Sequence, residues 1–443
     1  MSQMYHNLTE ETPLSLFLRY LVPSLCGCFF SSFYVITDTM MIGHGVGDLG
    51  LTALNIMLPM FSVFMAIGYL LGVGGSVCMS VARGAGDTEK ADSIYTTAVV
   101  VLLAVSVLFT IVLNLFLEPL VDFLGATESN RSYAMSYGRI MMIACICYFA
   151  EPFFQNFVKN DGDPNRAMIA AVLGNLWNII WDYILIFPLH LGMTGAILAT
   201  VMGFGLNTII CLSHLWSPGN QLHFHLGSFR FSRLIGIAKN GSASFFGEFS
   251  SAIIIYFFNI QILSYLGESS LVVYSVITNA AIVFNSMIAG VGNAVQPLIS
   301  YNYGAGRKAR VSAFLKIGLV TSILVAGILY AITALRTDLV ITLFVSGASA
   351  YFEEGIPAIR LYFSGVIFQA MALYLANYFQ SVMSVRESLL IGILRGVLLP
   401  LLLVMLLPGI FGGYVIWYVM LVTEFLMAVL AIWLWRRNPA YRS

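Results

Sequence analysis

Twelve mostly apolar runs, each long enough to cross a bilayer, constrain this chain more than any other feature. A helix needs about 20 such residues to span the hydrocarbon. Inside lipid, every backbone N–H and C=O must also find its partner within the spanning structure. The runs are 14–42, 50–81, 92–117, 132–158, 165–187, 193–214, 236–264, 270–301, 311–334, 355–383, 387–407 and 411–435. They predict an all-α membrane protein with twelve transmembrane helices, embedded in a lipid bilayer. Of the 443 residues only 9% are charged, against roughly 25% in a soluble domain. The formal net charge is zero, so no basic surface points to nucleic acid. Pro23, Pro59, Pro297, Pro357 and Pro400 fall inside runs. Each removes an amide donor and can bend its helix.

Lysine and arginine set the expected orientation. Alternate connections hold Arg83 and Lys90; Lys159 and Arg166; Arg230, Arg233 and Lys239; Arg307, Lys308 and Arg310; and Arg386, with Arg436, Arg437 and Arg442 at the end. The opposite connections hold Arg131 and Arg336. Both termini are therefore expected on the cytoplasmic side. The start, MSQMYHNLTEETP, has no basic region or cleavage site of a signal peptide. The six cysteines all lie in apolar runs, with spacing that suits core packing better than zinc or disulfides.

The chain resembles itself. Residues 48–86 align without a gap onto 268–306, and both stretches end in a G-A-G tripeptide, Gly84–Gly86 and Gly304–Gly306, with basic residues following. Pro188 and Pro408 keep the same separation. An even number of spans between equivalent points makes the repeats parallel, and substrate sites lie between such repeats near midplane. The expected architecture is two pseudo-symmetric six-helix lobes around a central cavity. Residues 1–215 form the N-lobe, 216–235 a cytoplasmic linker, and 236–443 the C-lobe. The linker, with its aromatic and basic residues, is expected to be a loop with a short interfacial helix. His223 and His225 there read as a solvated turn.

Five acids sit inside apolar runs: Asp38, Glu151, Asp182, Glu248 and Glu424. A carboxylate costs about 2.5–3.5 kcal/mol at a membrane helix centre on insertion scales, so it faces the protein interior and points to function. Asn175, Asn178 and Asp182 are spaced i, i+3, i+7 and share one helix face. Ser31, Tyr34 and Asp38 form a second polar stripe. If the stripes face each other, two carboxylates and an amide share one cavity. Such a pair takes up a proton or is neutralised by a metal cation; carboxylate and amide oxygens suit hard ions. The plainer reading is interhelical hydrogen bonding alone. Glu248 is the strongest ionisable candidate in the second half. Glu151 is set to pair with Lys159, and Glu424 with Arg395. Gly84–Gly86 lacks the lysine and serine of a phosphate loop, so nothing points to ATP hydrolysis.

The chain resembles the multidrug and toxic compound extrusion (MATE) transporters across its length. The most specific string is NFVKNDGDPNRA, Asn156 to Ala167, similar to a loop of the bacterial branch that contains staphylococcal-type multidrug exporters. The resemblance implies an N-lobe cation site at Asp38, Asn178, Asp182 and Thr200. These would couple H⁺ or Na⁺, with Asp38, Asn178 and Asp182 as metal ligands in the sodium case. It implies a bending proline at Pro23 and a substrate cavity lined by Tyr34, Gln155, Asn156 and Asn175. It gives Glu248 one half of a C-lobe site, but the tenth run offers Gln369 and Asn377 where the family's acid is expected. The implied function is cation antiport that exports lipophilic, mainly cationic drugs or toxic organic compounds by alternating access. No cofactor besides the coupling ion is expected. The implied setting is the inner membrane of a bacterium, as a multi-pass monomer.

The nearest alternative is a flippase for lipid-linked oligosaccharides or another amphiphile, from the same superfamily. Such proteins place several cationic residues in the cavity, whereas the intramembrane set here leans acidic. An intramembrane enzyme would need a nucleophile–base or metal constellation, and no such spacing occurs. Buried acids in two lobes suit alternating access better than a channel.

Overall fold

The computed structural model describes residues 10–344 and 351–437, and these contain helices and turns without any strand. The expectation for the two chain termini, Arg442 included, lies outside the described residues. Twelve spans follow in order: α1 (Pro13–Gly45), α2 (Asp48–Gly84), α3 (Thr88–Leu115), α4 (Arg131–Ile143 then Cys145–Asn160), α5 (Pro164–Ile186) and α6 (Gly192–Leu212); then α7 (Phe231–Tyr265), α8 (Glu268–Gly304), α9 (Lys308–Leu335), α10 (Phe352–Phe363 then Val366–Ser381), α11 (Val385–Phe411) and α12 (Gly413–Arg437). Among the described residues, eleven are long and apolar enough to cross alone. α4 makes a twelfth when its two halves, bent by 53°, count as one span.

Local chemistry explains several ends. Asp87 caps α3 by accepting from the Lys90 amide at 3.0 Å. Asp163 caps α5 in the same way, with Pro164 as the first helical residue. The sharp bend of α4 falls at Ala144, not at any of the five prolines expected to bend helices. Pro23, Pro59 and Pro297 sit inside continuous helices. In α11 a π-helical turn, Leu394–Leu398, lies just before Pro400. Proline cannot donate to the carbonyl four residues back, and a wide turn absorbs that mismatch.

The repeat is visible in the backbone. Gly86 and Gly306, which follow α2 and α8, both adopt the left-handed conformation, at φ 80° and 69°. A short helix follows α3 (Leu117–Phe123), and another follows α9 (Thr337–Phe344).

Among the described residues, buried side chains form one large cluster from α2 to α6, two others built mainly from α8 to α12, and a small one of Val158, Ala167, Ala170 and Cys211. α1 belongs to both sets. Its first half, Leu16, Phe17, Tyr20 and Leu21, packs with Val291, Leu298, Phe314 and Tyr374. Its second half, with Tyr34 and Ile42, joins the cluster of α2 to α6. Pro23 is buried next to the point where α1 passes from one core to the other.

The halves meet on the basic side through glycines. A Cβ on Gly84 would run into the Tyr301 carbonyl oxygen, and one on Gly304 into that of Val81. Gly74 and Gly241 make the corresponding approach to the carbonyls of Ile237 and Leu70. Small residues let backbones come this close, where dispersion and Cα–H···O contacts replace side-chain packing. At the opposite ends of α1 and α8 lies a cavity of about 370 Å³, lined in part by Thr39, His44, Ser275, Asn279 and Phe344. The molecule is thus shut on its basic side and open on the other.

If the glycine contacts hold the basic side shut, Gly84→Leu should open it. Cys78 is 7% exposed, with its sulfur 3.8 Å from the Gly236 carbonyl and 3.9 Å from the Met383 sulfur. In a chain retaining only this cysteine, the variant is expected to speed thiol labelling at least about tenfold, equivalent to about 1.4 kcal/mol. An unchanged labelling rate in folded protein would show that other contacts close this side.

Candidate functional site

The two polar stripes face each other. α1 and α5 approach closely at Gly27, where an added Cβ would lie 3.7 Å from that of Ala171. Asn175 Nδ2 donates to Ser31 Oγ at 3.1 Å. Toward the open side, Asp38 and Asp182 bring their carboxyl groups close enough to share a proton. Asn178 Nδ2 donates to Thr200 Oγ1 at 3.4 Å, and Thr200 in turn donates to the Ala196 carbonyl at 3.1 Å. Tyr34 lies near Thr200 as well. All four residues expected to form a cation site therefore gather between α1, α5 and α6.

Burial makes this arrangement costly. Asp182 is fully buried and Asp38 is 8% exposed. Among the described residues, no protein donor reaches Oδ1 of Asp38, either oxygen of Asp182, or Oδ1 of Asn178. Buried carboxylate oxygens normally accept hydrogen bonds, and leaving them without donors is expensive. Two adjacent carboxyls cannot both remain ionised at low cost. The set fits a shared proton or a small hard cation held by carboxylate and amide oxygens.

Aromatic rings wall this pocket. Tyr34 meets Phe204 edge-on at 6.3 Å, Phe204 meets Tyr148 at 5.1 Å, and Phe61 packs on both Phe204 and Tyr148. Tyr137, in the first half of α4, lies within electrostatic reach of both acids. None of Tyr137, Tyr148, Phe204 and Phe61 stands out in the sequence, because aromatic residues are spread through nearly all the spans.

The other expected cavity residues divide. Gln155 Nε2 donates to Glu151 Oε1 at 2.5 Å, and Asn207 Nδ2 donates to the same oxygen at 3.1 Å. Glu151 is thus held by two amides, not by the ion pair with Lys159 expected from the sequence. Asn207 lies seven residues after Thr200 and shares its helix face. The polar-stripe criterion that singles out Asn178 finds Asn207 as well, once applied to α6. Asn156 is fully buried and donates to the Pro152 carbonyl of its own helix at 2.7 Å, so it does not line open space.

Glu248 is exposed on α7, within electrostatic reach of Tyr69 and Glu151. Among the described residues, no side chain hydrogen-bonds or ion-pairs with it. Gln369 Nε2 bonds Asn285 at 2.6 Å instead, and the Asn377 amide packs against Gly292. Among the described residues no second carboxylate bonds with Glu248, and Glu151 is within electrostatic reach only. Glu424 behaves differently. Arg395, on the π-helical turn, meets both of its oxygens at 2.8 and 2.9 Å, as expected from the sequence.

A further network lies on the basic side and escapes sequence reasoning. Asp161 is fully buried and pairs with Arg83, while His214 Nε2 lies 2.7 Å from its Oδ2 and the Gln221 amide donates to the same oxygen at 2.9 Å. Asp163 lies 3.3 Å from His214 Nδ1 and accepts from Arg166 Nε at 3.0 Å. Burial alone would raise the Asp163 pKa, but His214 and Arg166 hold it below the usual carboxylate range. The network ties the loop after α4 to the segment after α6. It contains the N-D-G-D string and is structural in character.

Comparison with known proteins agrees with this geometry. The MatE family model matches residues 23–184 and matches again over residues 245–406. The multidrug export protein MepA of Staphylococcus saprophyticus is 23% identical over 417 residues, covering 94% of this chain and 92% of that protein. A structure described as the outward-facing conformation of a multidrug resistance MATE family transporter superposes with a TM-score of 0.92 at 21% identity, covering 98% of each chain. A MOP superfamily transporter from Pyrococcus furiosus gives 0.91 at 21% identity, covering 99% of this chain and 98% of that one. Reverse polarity of its binding pocket is said to suggest a different function for that protein.

The Arg395–Glu424 pair yields a stability prediction. Arg395→Met leaves Glu424, 2% exposed at its side chain, without its counter-charge. The expected loss is about 3–5 kcal/mol, and replacing both residues by methionine should recover most of it. Unfolding of detergent-solubilised protein reads both effects. A single variant as stable as wild type would mean that the pair contributes little.

Proposed function

Because the chain belongs to the MatE family of multidrug and toxic compound extrusion transporters, which are not enzymes, we propose that it exports lipophilic, mainly cationic compounds in exchange for H⁺ or Na⁺. The observation that carries this reading is the buried Asp38–Asp182 pair with its donorless oxygens. A pocket of that kind has a strong reason to take up a cation.

On this reading the basic side faces the bacterial cytoplasm, and the structure has the outward-facing form. A cation enters from outside and neutralises the pair. With α1 spanning two cores, occupancy at Asp38 acts on a helix whose other half packs against α8. Exchange requires that cation and substrate prefer different states of the protein. Each charge moved through 100 mV contributes about 2.3 kcal/mol, enough for a roughly fifty-fold concentration ratio. Glu151 and Glu248, within electrostatic reach of each other and of Tyr69, favour positively charged substrates over the pyrophosphate of a lipid-linked sugar. Both halves of the cavity come from one chain, which supports a monomer as the working unit.

Two substitutions test the coupling site. In liposomes with an imposed Na⁺ or H⁺ gradient and a fluorescent cationic dye, Asp38→Asn and Asp182→Asn should each reduce gradient-driven dye movement to the passive level. Glu248→Gln should retain gradient dependence. Wild-type coupling in both aspartate variants would refute the assignment, and loss in Glu248→Gln alone would move it to the other lobe. Running each gradient separately identifies the ion.

A further inference from the structure

The segment between α6 and α7 is not a slack tether. Its backbone is laced to one face of α3. The His225 amide donates to Thr96 Oγ1 at 3.2 Å, Ser93 Oγ donates to the Ser228 carbonyl at 2.7 Å, and the Arg230 amide donates to Thr97 Oγ1 at 3.2 Å. The network at Asp161 fixes its other end through His214 and Gln221. A segment held this firmly would be expected to turn apolar side chains inward. Instead Trp216 is 82% exposed, Leu226 68% and Phe231 67%. Phe231, Ile235 and Lys239 follow at i, i+4 and i+8 on the first turns of α7, all exposed, so apolar and cationic groups share one stripe. Arg230 stands beside this stripe and uses one guanidinium nitrogen on the Gly227 and Phe229 carbonyls.

We infer that this surface docks onto anionic phospholipid of the adjoining leaflet. The apolar side chains would enter the acyl boundary, and Arg230 and Lys239 would meet the headgroup phosphates. Position supports this occupant: α6 ends at Leu212 and α7 begins at Phe231, so the segment lies where two spans leave the hydrocarbon. Charge supports it too. A basic group near an anionic surface is drawn to it, and apolar side chains beside basic ones are what an interfacial segment presents.

Native mass spectrometry of the full-length protein, titrated with phosphatidylglycerol or phosphatidylcholine, tests the charges. Wild type is expected to retain several-fold more phosphatidylglycerol, and Arg230→Gln/Lys239→Gln should bind the two lipids alike while melting at the wild-type temperature. A probe on Leu226→Cys, in a background without other cysteines, tests the docking itself. Its emission should shift to the blue in phosphatidylglycerol vesicles and less in phosphatidylcholine vesicles, with no reversal by millimolar inorganic phosphate. Equal adducts of both lipids on wild type, or a probe that stays water-exposed in phosphatidylglycerol vesicles, would overturn the inference. Reversal by free phosphate would overturn it as well, by showing a simple anion site.

Discussion

Two carboxyl groups without donors, buried between α1 and α5, are the interaction on which the rest of the molecule turns. Burying Asp38 and Asp182 together opposes folding unless a proton or a cation comes with them. Everything nearby limits how that charge is met. Asn178 and Thr200 bond each other and leave one amide oxygen facing the pocket. The aromatic wall of Tyr34, Phe204 and Tyr148 adds no positive charge. Neutralisation is thus left to a proton or cation from solution, which is what the proposed coupling role requires.

The long reach of α1 gives this local demand a path outward. One half of the helix lies in the core of the first six spans, and the other half lies in a core shared with α8, α9 and α10. Pro23, buried near the crossing, deprives the helix of one hydrogen bond there. A change at Asp38 therefore bears on a helix that both halves of the protein hold. The glycine contacts on the basic side are suited to the same movement. They hold backbones together by dispersion and weak Cα–H···O contacts.

Much of this was legible in the residues. The spans were readable to within a few positions because a lipid-embedded backbone must be helical and apolar over a fixed length. The acid pair was readable because i, i+3, i+7 spacing survives in any straight helix, whatever packs against it. What escaped depends on how helices rotate and cross. Gln155 stands one helical turn from Glu151 in the sequence, but nothing in the order of residues says that Asn207 on another helix, rather than Lys159, completes its contacts. Arg83, Asp161 and His214 come from three separate connections, and only folding brings them together. The bend at Ala144 has no proline to announce it. Asn156 illustrates the converse: it carries the right residue type in the right helix, yet it turns toward its own backbone.

The two halves share topology but not electrostatics. In the second half the buried acid Glu424 already has its cation, because Arg395 meets both oxygens from a π-helical turn. In the first half Asp38 and Asp182 have none. A guanidinium is always charged at any pH the protein meets, so Glu424 has no cause to take a cation from solution. Glu248 stands apart on an accessible face with no second carboxylate beside it, and so lacks the like-charge neighbour that makes the Asp38–Asp182 pair demand neutralisation. A duplicated framework thus holds one buried acid pair without a protein counter-charge and, in its other half, one buried acid that the protein neutralises itself.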